Sequence, residues 1–150
     1  MKRIYSKNEL AFSLLWIGLY VVLMSAADGV SEMLGVAKII TAPLCIMMAL
    51  FLFFWVRKNG LSEKYGFCRP GGHPREYLYY IPLVLMVSVN LWWGIGLQLT
   101  ALETVLSVIS MLCVGFLEEV IFRGLLFEAM RKDNVKVAII VSSVTFGIGH

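Results

Sequence analysis

Long apolar runs alternate with short polar breaks along this chain. The first apolar run covers 10–27 and is preceded by Lys2, Arg3 and Lys7. A short loop, 28–38, with more acids than bases, leads to a second run at 39–56, which closes with Trp55 before Arg57 and Lys58. The largest polar stretch follows at 57–76, and its Gly, Pro and basic residues make it a loop. A third run, 77–100, has Tyr77, Tyr79 and Tyr80 near one end and Trp92 and Trp93 towards the other. That is the aromatic belt expected at the two interfaces of a bilayer. Pro82 near its start is tolerable, because membrane helices accommodate proline. A fourth run extends from near Thr104 to about Met130, a turn occupies 131–136, and a fifth run goes from Val137 to His150. The pattern predicts an all-α protein, a polytopic transmembrane helical bundle with about five spans, the last one cut short. Its 14 residues reach about 21 Å at ~1.5 Å per residue, against a hydrocarbon core of ~30 Å. The expectation is therefore that the natural protein continues past His150 into further apolar spans.

Composition agrees with the pattern. Hydrophobic residues make up 59% of 150 residues, charged residues 15%, and mean hydropathy is +0.81. One small soluble domain cannot hide that much apolar surface. The net charge of +3 is not gathered into a nucleic-acid patch, since the basic residues fall between the apolar runs. No nucleic-acid partner is expected; the lipid bilayer is. The positive start and the Ser25-Ala26-Ala27 end of the first run also suit a signal peptide, but the run is long for one and serves better as a span. Cys45, Cys68 and Cys113 are odd in number and scattered, with no metal spacing and no implied disulfide framework. Lys and Arg number three before the first run, five in 57–76 and three in 131–136, against only Lys38 in the other two loops. The positive-inside rule then puts the N-terminus, the long loop and the last turn in the cytoplasm.

Candidate chemistry sits in 115-GFLEEVIFRG-124. Ionisable residues inside hydrocarbon are costly and suggest a functional site. Glu119 and Arg123 are four apart and pair on one helix face, whereas Glu118 points about 100° away. The competing reading is a buried structural ion pair, with Glu118 capping a neighbouring helix. The turn makes the fourth and fifth runs a helical hairpin. Glu118 lies 13 residues before Arg131 and His150 lies 14 after Lys136, so each is expected roughly 20 Å from the turn. A carboxylate that takes a proton from water, with an imidazole at similar depth, is a hydrolytic constellation. Phe146, one turn before His150, walls the histidine. The blander reading of His150 is a core histidine bonded to a backbone carbonyl. His73, in the long loop, reads as solvated.

Glu118-Glu119-x-x-x-Arg123 followed by Phe146-x-x-x-His150 resembles the first two motifs of the CPBP family (Abi, or CAAX-protease-and-bacteriocin-processing) of intramembrane proteases. The resemblance divides the chain into three N-terminal spans, 1–103, and the incomplete start of a CPBP protease domain, 104–150. It implies an intramembrane endopeptidase that acts on a protein or peptide substrate. Glu118 would activate water, His150 would help hold that water, and Glu119, Arg123 and Phe146 would support them. Bacterial members are linked to bacteriocin maturation, self-immunity and surface-protein processing, which implies a bacterial plasma membrane. The family is often described as metalloproteases. If a divalent metal such as zinc takes part, Glu118 and His150 are its ligands here. A catalytic zinc normally needs three protein ligands plus water, and the family's third motif, a histidine with Asn or Asp four residues on, does not occur within these residues. The alternative is a non-catalytic membrane protein of the same fold, serving in immunity or as a scaffold.

Overall fold

Asn8 starts the first long helix by accepting a hydrogen bond from the Ala11 amide at 3.0 Å, the usual N-cap arrangement. A computed structural model describes residues 2–67 and 100–148 and, between them, His73, Arg75, Leu78, Ile81, Pro82 and Leu85. Regular structure among the described residues is helical. A short helix α1 (Lys2–Lys7) precedes α2 (Glu9–Met33), and α3 is Thr41–Lys58. The long helix α4 (Ala101–Arg131) and then α5 (Val135–Ile148) complete the order. Three of these helices, α2, α3 and α4, are long and apolar enough to cross a membrane, and α5 is a shorter apolar helix. This is a helical membrane bundle, as the apolar pattern predicts. The third predicted run, 77–100, lies for the most part outside the described residues.

The helix ends differ from expectation for physical reasons. α2 does not stop at Ala27 but runs on to Met33 with Asp28 inside it. That acid is tolerated because Lys38 lies 2.7 Å from its Oδ1 and the Thr41 hydroxyl donates to the same atom. The chain turns only after Met33, where Gly35 and Lys38 adopt positive φ of 70° and 60°; glycine takes such a conformation without penalty. α4 begins at Ala101 rather than near Thr104, because Thr100 and Glu103 form a reciprocal capping box. At the other end Asn134 accepts from the amides of Lys136 and Val137. α5 therefore starts earlier than the apolar run that it carries.

Within α4, residues Glu119–Leu126 widen from α- to π-helical hydrogen bonding. π segments are rare, usually single turns, and frequent at functional sites. The widened stretch buries Val120, Ile121, Phe122, Leu125 and Leu126 against α2, while the first part of α4 packs along α3. Phe12, Trp16 and Tyr20 of α2 and Cys45, Met48 and Leu52 of α3 complete the core. Outward-facing positions are apolar too: Val22, Met47, Phe54, Met111, Leu112 and Ile140 are all more than half exposed. In water such a surface would aggregate; in a bilayer it meets lipid.

The basic segments converge on one end of the bundle. Lys64 from the long loop and Lys132 from the last turn both reach Glu9, at 2.7 and 2.9 Å. Tyr5, Tyr65 and Trp55 gather there; Tyr5 and Tyr65 share a hydrogen bond at 2.9 Å, and Tyr5 packs edge-on to Trp55. At the opposite end the Ala37 amide donates to Glu103 at 3.2 Å, tying the α2–α3 loop to the start of α4.

Candidate active site

Glu118 and Glu119 are adjacent in sequence and enter different surroundings. Both stand where α4 passes from α- to π-helical bonding. Glu118 turns inwards and is half-buried. The Tyr20 hydroxyl, from the middle of α2, donates to its Oε1 at 2.9 Å. Tyr20 is itself buried, and Leu117, next to Glu118, is fully buried. The site's carboxylate is therefore held from a helix 98 residues away in sequence.

Glu119 turns the other way and pairs with Arg123, with N–O separations of 3.3 to 3.4 Å. This is the i, i+4 pair that the spacing predicts. It is not the buried pair that the apolar flanks suggest, because the Arg123 and Glu119 side chains are 67% and 59% exposed among the described residues. The cause is a groove between the 61–67 loop, the π segment and α5, which Glu119 and Arg123 line together with Tyr65, Phe67, Ser142 and Ser143. Gly124 lies on its floor, where a Cβ would meet the Tyr65 ring at 3.5 Å, an ordinary contact distance.

Phe146 joins the two motifs. Its ring meets Phe122 edge-on, with centroids 5.9 Å apart and planes at 82°. The Arg123 guanidinium lies over the same ring at 5.9 Å, within the range of a cation–π contact. Thus Glu119, Arg123 and Phe146 belong to one neighbourhood, built by α4 and α5, while Glu118 faces Tyr20 of α2. His150 lies outside the described residues, so its place beside Phe146 stays an expectation. His73, the loop histidine, is exposed.

Tyr20 is the site residue that the sequence reading missed, because it was counted as part of an apolar run. A signal was present: a tyrosine in mid-span, away from both interfaces, needs a hydrogen-bond partner at its own depth. As for a metal, no three His, Cys, Asp or Glu side chains come together among the described residues.

Residues 98–150 match the family model described as type II CAAX prenyl endopeptidase Rce1-like. No curated protein and no solved structure matches the chain.

Proposed function

We propose, from the CAAX-protease family assignment of residues 98–150, that the chain carries part of an intramembrane endopeptidase centre in which Glu118 is the general base. The observation that supports this most is the separation of two neighbouring carboxylates. Glu119 is committed to Arg123, whereas Glu118 is held at mid-span by a neutral phenol. Placing paired acidic groups in contrasting environments is how sites assign them different roles.

In this reading Glu118 takes a proton from a water molecule, and the water oxygen bonds to the carbonyl carbon of the scissile peptide. The C–N bond then breaks and the proton passes from Glu118 to the departing amine. His150 holds the water, and Arg123 and Phe146 keep Glu119 and the histidine-bearing helix in register. The substrate is a protein or peptide drawn from the bilayer or its surface. The basic end of the bundle faces the cytoplasm, so the N-terminus is cytoplasmic, and the membrane is a bacterial plasma membrane.

The test is Glu118→Gln in the full-length protein, with peptide cleavage and membrane accumulation measured together. Removing a general base should lower the rate by about 10²–10⁴-fold at unchanged accumulation. Cleavage equal to wild type at equal expression would remove Glu118 from the mechanism and favour a non-catalytic member of the fold.

A further inference from the structure

Hydroxyl groups buried in α2 have an easy local partner. Ser13 donates to the Leu10 carbonyl and Ser31 to the Ala27 carbonyl, both at 2.8 Å. Both donations stay within α2, although the Ser31 hydroxyl also accepts from the Ile40 amide at 3.1 Å beside the start of α3. Tyr20 differs, because its hydroxyl crosses to α4 and donates to Glu118 Oε1 at 2.9 Å. The ring that carries it is clamped: Tyr20 is 8% exposed and packs in the core with Trp16 and Phe12 of its own helix and Met48 of α3. A phenol has only two side-chain torsions, so a buried one presents its O–H at a nearly fixed point. A glutamate has three and can swing, and the donor removes that freedom by holding one oxygen. Tyr20 lies outside residues 98–150 that match the family model, so the holding group comes from the N-terminal part of the chain.

We propose that Tyr20 is a positioning residue for Glu118: its hydroxyl orients the carboxylate for proton abstraction. This rests on the reading of Glu118 as base, and the experiment separates the two. Tyr20→Phe keeps the ring and removes the hydroxyl; 3-fluorotyrosine at position 20 keeps the shape and makes the O–H a stronger donor. Each is compared with wild type in the full-length protein in lipid nanodiscs, by steady-state cleavage and by the infrared band of the Glu118 carboxylate, assigned by subtracting the Glu118→Gln spectrum. Tyr20→Phe should lower kcat by about tenfold, less than the ~10²–10⁴-fold that an acid–base group itself contributes, with KM unchanged. The carboxylate band should shift in Tyr20→Phe and shift the opposite way with fluorotyrosine. If Tyr20→Phe fails to accumulate, the fluorotyrosine protein carries the test. An unmoved band and unchanged kcat would overturn the proposal. A shifted band in a protein without peptidase activity would support the Tyr20–Glu118 contact while overturning the hydrolytic reading.

Discussion

Arg123 and Glu119 illustrate how surroundings set the worth of one contact. A buried pair broken on one side costs about 3–5 kcal/mol, because a lone charge is left in low dielectric. An exposed pair is worth about 0–1 kcal/mol. This pair opens onto a groove, so the second figure applies. Glu119→Gln and Arg123→Ala should each accumulate in membranes within about twofold of wild type, as read by quantitative immunoblot. A collapse in accumulation would mean that other parts of the protein cover the groove. Leu117→Ala should behave differently. Its side chain is fully buried beside Glu118, and truncation of such a residue costs about 2–5 kcal/mol. A clear loss of thermal stability in detergent is expected there.

At the scale of an element, α4 decides the geometry of the site. Its period could be read from the sequence, since Glu119 and Arg123 meet as an i, i+4 pair. So could its place in a hairpin with α5. The π stretch was not legible, because no residue type marks an i→i+5 backbone; packing of the 119–126 segment against α2 and the groove decides it. The end of α2 lies beyond the apolar run because Lys38 and Thr41 meet Asp28 from outside the helix. Tyr20 escaped notice for the same reason: its partner is 98 residues away. Gly124 gives this element a direct test. A methyl group there meets the Tyr65 ring at ordinary contact distance, so Gly124→Ala should be tolerated. Gly124→Leu should force the 61–67 loop off the groove and raise its rate of proteolytic nicking in inside-out membrane vesicles, relative to Gly124→Ala.

For the whole molecule, the charge pattern and the tertiary contacts point the same way. The sequence places eleven of thirteen Lys and Arg residues in three segments, and the fold brings contacts from all three to one end, where Glu9 binds Lys64 and Lys132. A reporter fused in the 57–76 loop should read cytoplasmic and one near Asp28 external; the reverse would sink the orientation. Lys64 adds a pH prediction. Burial would lower its pKa, but the Glu9 carboxylate and the Tyr5 hydroxyl outweigh that and hold it above its ordinary 10.5. A raised pKa in the folded state means that its contribution is complete below about 10.5 and fades as pH rises through the higher folded value. Thermal stability should therefore show no Lys64-dependent change near neutrality. It should fall at strongly alkaline pH less steeply in Lys64→Met than in wild type.

The hydroxyl that meets Glu118 also has a place in time. α2 emerges from the ribosome well ahead of α4. The gap of 98 residues corresponds to a lead of roughly 5–20 s at translation rates of about 5–20 residues per second. When the glutamate leaves the insertion machinery, a phenol donor is already seated in the bilayer at its depth. A carboxylate entering hydrocarbon with no donor waiting would stall or slip back towards water. The order of synthesis thus makes the N-terminal span an escort for the later charge, and α4 should insert less efficiently in nascent chains that carry Tyr20→Phe.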